Sequence, residues 1–292
     1  MPAGAYDLHT HTTVSDGTLR PADSVAHAKE QNLSGLAITD HDTVNGVAEA
    51  VEAGKRLGIE IVPGVEISTS DGGEDIHVLG LWIDPVDELF RERLGSQREA
   101  RFQRNHLLIC RLQELSFDVN LDEAERIAME RRSGTGRAFG RPHIAELLVR
   151  KGYVGSIKEA FARYLGRDGE AYVSTPRIPP ETAIQWIREA GGLAVLAHPG
   201  LYSTGKGEEL VSRLPAYGLD GVEAAHADHG PEEEALYGGL AGIHGLIVTA
   251  GSDFHGFREG VPFHAPLGSR TVDEQVFQEL RQRAEQRKRD IR

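Results

Sequence analysis

Residues 35–66 read GLAITDHDTVNGVAEAVEAGKRLGIEIVPGVE. The stretch opens on a short apolar run, Gly35–Thr39, and closes on a second, Glu60–Val65. Both have the length and β-branched content of buried strands. Between them Val47–Leu57 places its apolar residues at helical spacing. A strand, a helix and a second strand form a parallel unit, because the helix carries the chain back to its starting edge. Five more segments read as strands: Ala5–His9, Ile76–Trp82, Leu193–Ala197, Gly221–Ala224 and Leu246–Ala250. Pro21–Gln31 and Asp273–Lys288 read as helices. The pattern predicts an α/β protein of parallel βα units, closed into a barrel or wound as an open sheet.

The middle of the chain breaks this rhythm. From about Pro85 to Ala171 the pattern predicts helices only, at Leu94–Leu115, Leu121–Arg131, Pro142–Lys151 and Ser156–Tyr164. Turn signals at Ser133–Gly136, Gly152 and Gly166–Gly169 separate them. The expected organisation is a barrel domain at 1–85 and 172–292, with a helical cap subdomain inserted at 86–171. Function-bearing loops gather at one face of such barrels, which favours a cap over that face.

Composition narrows the function classes. The 292 residues are 39% hydrophobic and 26% charged, within the globular range. Lys plus Arg number 32 and Asp plus Glu 45, a formal net charge of −13. Such a surface repels a long nucleic acid. No apolar run nears the roughly 18 residues that span a bilayer, so no membrane partner is expected. The opening MPAGAYDLHTHT lacks the basic and apolar regions of a signal peptide. Cys110 is the single cysteine, which excludes an intrachain disulfide and suits the cytoplasm. It is expected to be a packed, inert thiol.

Ionisable residues collect where strands end. His9 and His11 end the first strand two residues apart, so both imidazoles point to one side. Asp16 follows in a Ser-Asp-Gly turn, and Asp40-His41-Asp42 ends the second strand. Glu66 ends the third, His77 lies in the fourth and His198 ends the fifth. Asp253 and His255 end the seventh. Each alone reads as a turn residue or a satisfied core group. Together they place a ligand-type side chain on six of seven strands, at the face where parallel βα folds carry their sites. Nine N and O donors are too many for one ion and suit a cluster of two or three.

This constellation resembles the PHP family, named for polymerase and histidinol phosphatase. The matching motifs are Asp7-Leu8-His9-Thr10-His11, Ser15-Asp16-Gly17, Thr39-Asp40-His41-Asp42, Gly64-Val65-Glu66, His77, Ala197-His198-Pro199-Gly200 and Gly251-Ser252-Asp253-Phe254-His255. Their order runs the length of the chain. The resemblance implies a distorted seven-stranded TIM-like barrel with a trinuclear metal site. It assigns His9, His11, Glu66 and Asp253 to one ion. A second shares Glu66 and adds His77 and His198, and the third takes Asp16, His41 and His255. It leans to manganese, although imidazole and carboxylate donors also suit iron or zinc. The chain is most similar to the small phosphoesterases that act on nucleoside 3′,5′-bisphosphates. Some relatives instead remove nucleotides from the 5′ end of short RNA. Relatives often carry a basic residue after the His-Pro-Gly motif, where this chain has Leu201-Tyr202, with Lys206 nearby.

The expected reaction is metal-dependent hydrolysis of a phosphomonoester, the 3′-phosphate of a small nucleotide such as 3′-phosphoadenosine 5′-phosphate. Exonucleolytic cleavage of short RNA by the same cluster is the alternative. A non-catalytic metal-binding module is a reading of another class, and an amidohydrolase acting on C–N bonds is a third. Divalent ions neutralise phosphoryl oxygens and lower the pKa of water. Glu66 and Asp253 are expected in the catalytic centre, with His229 as a candidate acid and substrate contact. Asp7, Asp40 and Asp42 are candidates to orient ligand imidazoles. Arg141, ahead of Pro142, and His143 stand at a predicted helix start suited to a second phosphate, with Arg137 a weaker candidate.

Overall fold

The computed structural model of the chain describes residues 4–130, 140–173, 177–258 and 260–291. It begins β1 (Tyr6–Asp7), α1 (Pro21–Glu30), β2 (Gly35–Ile38), α2 (Val47–Leu57), β3 (Glu60–Asp71) and β4 (Glu74–Leu81). Helices α3 (Glu88–Glu114), α4 (Leu121–Glu130), α5 (Arg141–Arg150) and α6 (Ile157–Ala160) follow. Next come α7 (Pro180–Glu189), β5 (Leu193–Leu196), α8 (Lys206–Arg213), β6 (Gly221–His226) and α9 (Pro231–His244). The chain finishes through β7 (Ile247–Gly251), a small hairpin of β8 (Phe257–Arg258) and β9 (Val261–Pro262), and α10 (Glu274–Ile291).

Seven strands form one sheet in the order β1 to β7. Its edges meet where the Leu8 N–H donates to Ala250 O at 3.2 Å and the His11 N–H to Phe254 O at 2.8 Å. The sheet is therefore a nearly closed barrel, one of the two arrangements the βα pattern allows and the one the resemblance implies. Its strands β2 and β5 are apolar throughout and buried on both faces, which parallel barrel strands require. Helix α10 closes the early strands. Its Phe277 is fully buried, stacks on Tyr6 at 3.7 Å between ring centroids, and touches Trp82 at 5.4 Å. No helix among the described residues is long and apolar enough to cross a membrane.

One expectation is corrected. The third and fourth strands are not separate parallel units. They form a long antiparallel hairpin with Ser68 opposite His77 and Asp71 opposite Glu74. Strand β4 also runs antiparallel to β5. The cause is local: Gly72 and Gly73 both take positive φ, 59° and 81°, which makes a two-residue turn whose twist matches paired strands. Strand β3 thus runs past Glu66 to Asp71, and Glu66 lies mid-strand rather than at a strand end. Because β4 is reversed, its first half, including His77, reaches the face where the parallel strands end.

The helical segment has its own core. Leu108 and Leu112 of α3 pack with Ile127 of α4 and Ile144 and Leu148 of α5 in a cluster distinct from those of the barrel. The predicted Ser156–Tyr164 helix is α6 followed by a five-residue π-turn, Phe161–Leu165. Cys110 is half-buried rather than packed away, with its Sγ 3.9 Å from His106 Nδ1. The predicted turn at 133–136, Arg137 and the last residue of the predicted Leu121–Arg131 helix lie outside the described residues.

Candidate active site

Glu66 is the centre of the site. It is 1% exposed, and both its oxygens face imidazoles. Oε1 lies 2.8 Å from His77 Nδ1 and 3.2 Å from His198 Nε2. Oε2 lies 2.9 Å from His41 Nδ1, 3.3 Å from His11 Nε2 and 3.6 Å from His9 Nε2. Asp253 Oδ1 lies 3.3 Å from His9 Nε2 and 3.1 Å from His11 Nε2. Asp16 completes the other side, 3.3 Å from His255 Nε2 and 3.7 Å from His41 Nε2. The structure thus brings all nine sequence-predicted donors together.

The backbone is shaped for this convergence. Gly251 on β7 lets His9 and Glu223 come close, since a Cβ there would stand 2.2 Å from His9 Cβ and 2.6 Å from Glu223 Oε1. His198 and Asp253 take positive φ, 28° and 53°, as does Asp42 at 52°. Left-handed non-glycine residues cost energy and persist where the surroundings hold them, commonly at functional sites.

The donor set fits divalent ions. His9 Nε2 and His11 Nε2 face each other at 3.1 Å, beside Asp253. Asp16 Oδ1, His41 Nδ1, His77 Nδ1 and His198 Nδ1 are buried and make no hydrogen bond. Imidazole nitrogens and carboxylate oxygens so placed are ligands in search of a cation. Among the described residues, His11, Asp16, His41 and His255 form one group able to hold an ion. His9, His11 and Asp253 form a second, and His41, Glu66 and His77 a third; His9, Glu223 and His226, and Asp253, His255 and His264, make two more. Electrostatics agree. Burial opposes the charged His9 ring, but Glu223, Asp253 and Glu66 outweigh it and hold the group well above the usual imidazole range. Burial likewise opposes charge on His11, yet Asp253 and Glu66 carry it up to about 10. Burial disfavours the Glu66 carboxylate, yet His77, His41 and His9 keep it well below the usual range.

Some groups have different roles from those expected. Asp7 accepts the Ser252 N–H (3.0 Å) and hydroxyl (2.5 Å) and the Gly268 N–H (2.8 Å). Asp40 takes the Thr12 N–H at 2.8 Å and the Ser15 hydroxyl at 2.6 Å. Asp42 takes the Ser68 N–H at 2.8 Å and Arg101 at 2.6 Å. These carboxylates brace loops rather than imidazoles. The acceptor for a ligand ring is instead Glu223 on β6, whose oxygens lie 3.0 and 3.1 Å from His9 Nδ1 and which also takes the His198 N–H at 2.9 Å. With Glu223, all seven strands contribute to the site. Sequence reasoning passed over it because an isolated Glu in an apolar strand carries no spacing signal.

His229 is corrected as the candidate acid and substrate contact. It is buried, its Nδ1 donates to Ala224 O at 2.8 Å, and its Nε2 accepts the Gly200 N–H at 3.0 Å. Both nitrogens serve the backbone, and neither has a proton to offer a leaving group. His143 is also corrected. It is 5% exposed, and its Nδ1 accepts the Gly140 N–H at 3.2 Å, capping α5 instead of meeting a ligand. Tyr202 is a brace, donating to Ala197 O at 2.7 Å and accepting the His77 N–H at 3.1 Å. Lys206 is held by Asp71 at 2.6 Å and Glu209 at 2.7 Å.

Arg141 is part of something the sequence reading did not anticipate. Its Nη2 pairs with Asp75 Oδ2, and Arg177 reaches Asp75 Oδ1 at 2.9 Å. Arg104 joins them in a small cleft with Ser70 and Tyr172. Burial, then the like charges of Arg177 and Arg141, push the Arg104 guanidinium well below its ordinary range. One carboxylate thus faces three guanidiniums. Asp75 stands two residues before His77 on β4, so both side chains share a face, about 7 Å apart along the strand.

The PHP domain family matches residues 7–188, more than half of the chain. The chain belongs to the PHP family. It is 40% identical over 254 residues to the 5′-3′ exoribonuclease Rnm of Escherichia coli, covering 86% of this chain and 85% of that one. It is 36% identical over 256 residues to the 3′,5′-nucleoside bisphosphate phosphatase of Chromobacterium violaceum, covering 87% and 88%. A crystal structure from Bifidobacterium adolescentis, described as that of a metal-dependent phosphoesterase, superposes with a TM-score of 0.85 at 33% identity over 97% of both chains. This PHP protein is accordingly a hydrolase of ester bonds, a metal-dependent phosphoesterase.

Proposed function

We propose that the protein removes the 3′-phosphate of a nucleoside 3′,5′-bisphosphate, leaving a nucleoside 5′-monophosphate and phosphate. The observation that supports this reading is a group of three arginines about Asp75, set beside the donor cluster that His77 of β4 joins. The donor cluster around Glu66 takes the phosphate to be cleaved. The arginine cleft at Asp75 takes the other, roughly 7 Å along the strand, a spacing suited to phosphates on two oxygens of one ribose. The name of the Chromobacterium violaceum relative supports the choice.

The cluster residues divide as follows. His9, His11, Glu66 and Asp253 would hold one ion. Glu66, His77 and His198 would hold a second, and Asp16, His41 and His255 a third. Manganese suits this hard N/O set, with iron or zinc as substitutes. Bound divalent ions supply Lewis-acid polarisation of the phosphoryl group and activation of water. The chain does the rest. Glu223 fixes the His9 ring through two oxygens, so that Nε2 turns inward. Glu66 joins five imidazoles around one carboxylate, which sets the spacing of the whole site. Arg141, Arg104 and Arg177 hold the remote phosphate, and orientation of this kind lowers the barrier by removing freedom before the reaction. Residues 86–171 act as a cap subdomain on the barrel formed by 1–85 and 172–292, and Arg104 and Arg141 deliver its contact to the substrate. The setting is the cytoplasm, where a lone thiol stays reduced.

The identity to Rnm favours a second reading, cleavage of short RNA from its 5′ end. In that case the arginine cleft grips a 5′-phosphate and the cluster acts on the next phosphodiester. Phosphate release from 3′-phosphoadenosine 5′-phosphate, with Mn²⁺ restored, tests the choice. Equimolar phosphate and adenosine 5′-monophosphate are expected. Nucleoside monophosphates from short 5′-phosphorylated RNA, with no phosphate from the bisphosphate, would replace the first reading by the second.

A further inference from the structure

Strand β6 carries a histidine outside the nine-donor set. His226 ends the strand and is fully buried. Its Nδ1 accepts the backbone N–H of Asp228 at 3.2 Å. A ring nitrogen that accepts a hydrogen bond has no proton, so the proton of the neutral imidazole is on Nε2. That Nε2 is buried and has no hydrogen-bond partner. It faces Asp253 Oδ2 from 3.7 Å, beyond hydrogen-bond reach. The ring centroids of His198 and His9 stand 5.2 and 6.2 Å from that of His226, and Asp253 of the same cluster is the carboxylate that its Nε2 faces.

The tautomer is built into the fold. The Asp228 N–H belongs to the turn after β6, and that turn is anchored because Asp228 Oδ2 lies 2.8 Å from His264 Nε2. A cation at His226 Nε2 would need that nitrogen bare, and the proton would have to move to Nδ1, against the backbone N–H. Nor do His9, Glu223 and His226 need an ion between them, since His9 Nδ1 already meets both Glu223 oxygens. Interiors leave few buried donors without an acceptor, and the carboxylate that this one faces belongs to the donor cluster. We propose that His226 is a fixed hydrogen-bond donor to a phosphoryl oxygen of the bound substrate and is not a metal ligand. The inference rests on the phosphoesterase reading of the site.

The test uses the metal-loaded protein with His226→Ala and His226→Gln, the glutamine amide standing near the place of Nε2. Three readouts are taken: ions per chain, affinity for inorganic phosphate, and turnover. Both variants should keep the wild-type ion count. His226→Ala should weaken phosphate binding by roughly 10- to 150-fold, the worth of one hydrogen bond to a charged group. Its kcat should fall by about 10²–10³, as for other donors to developing phosphoryl or oxyanion charge. The loss should be equal on a bisphosphate and on p-nitrophenyl phosphate, because both present the phosphate being cleaved. His226→Gln should recover part of it. Nitrogen-15 NMR of the wild type should show a protonated Nε2 and a bare Nδ1. An ion count lower by one in His226→Ala, a bare Nε2, or unchanged phosphate affinity would each overturn the donor assignment. Weakened phosphate binding in a protein that hydrolyses no nucleotide would uphold the donor and sink only the substrate reading.

Discussion

Arg141→Ala removes one of three guanidiniums from the Asp75 cleft and leaves the cluster untouched. The side chain is 19% exposed and paired with Asp75, and its guanidinium lies 5.8 Å from the Phe161 ring. Arg177 keeps its contact to Asp75 at 2.9 Å, so the variant leaves no buried carboxylate unpaired and should fold. A charge-assisted hydrogen bond contributes roughly 1.5–3 kcal/mol. At about 1.4 kcal/mol per tenfold, kcat/KM on a 3′,5′-bisphosphate should fall roughly 10- to 150-fold. The loss stays finite because Arg104 and Arg177 remain. p-Nitrophenyl phosphate has no second phosphate and should be turned over almost as before. Steady-state kinetics of the variant on both substrates, at fixed metal, decides the matter. An equal drop on the two would mean that Arg141 serves the cleaved phosphate or the fold, and the two-site account of selectivity would fail.

Glu66→Gln should cost more activity and metal than His77→Ala or Asp16→Ala. A unit charge about 4 Å from another is worth roughly 4 kcal/mol at an effective dielectric of about 20, or about 10³ in metal affinity. Near-normal metal content in Glu66→Gln, read by elemental analysis, would contradict its bridging place. Metal affinity of the apoprotein should rise with pH. The His11 proton, held up to about 10 against an ordinary 6.5, stabilises the metal-free fold fully below 6.5, is lost as pH rises through about 10, and must leave before metal binds. Calorimetry showing a pH-independent affinity would refute this. Asp75→Asn should bind bisphosphate more tightly yet melt lower. Burial disfavours the Asp75 carboxylate, but Arg177 and Arg141 hold it well below the usual range, so it is ionised at working pH and opposes an anion while balancing the arginines. A raised KM with an unchanged melting temperature would count against the cleft.

Much of this was legible because period and chemistry coincide in the barrel. Apolar strands ending in His or Asp announce both the fold and the candidate donors, and all nine side chains meet around Glu66 and Asp253. The hairpin was harder to read. Gly72-Gly73 sits among polar residues, so the chain's return through Glu74–Leu81 resembles a new βα unit until the pairing is seen. Glu223 and His226 were hidden in an ordinary-looking strand, and their roles depend on hydrogen bonds that no spacing encodes. Arg104 and Arg177 lie far apart in sequence, and an arginine on a helix or in a loop is ordinarily a solvated charge. Their meaning comes only from the fold, which turns both toward Asp75. His229 illustrates the opposite error. A histidine beside a site is suggestive by type, but here two backbone partners occupy it.

The most direct test of the account is the number of divalent ions per chain in protein reconstituted with Mn²⁺, counted by native mass spectrometry. Three N/O donor groups built from His9, His11, Asp16, His41, Glu66, His77, Asp253 and His255, with His198 beside Glu66, predict two or three ions per chain. Asp253→Asn and Glu66→Gln should lower that count. At most one ion in the wild type, or an unchanged count in both variants, would contradict the cluster on which the rest depends.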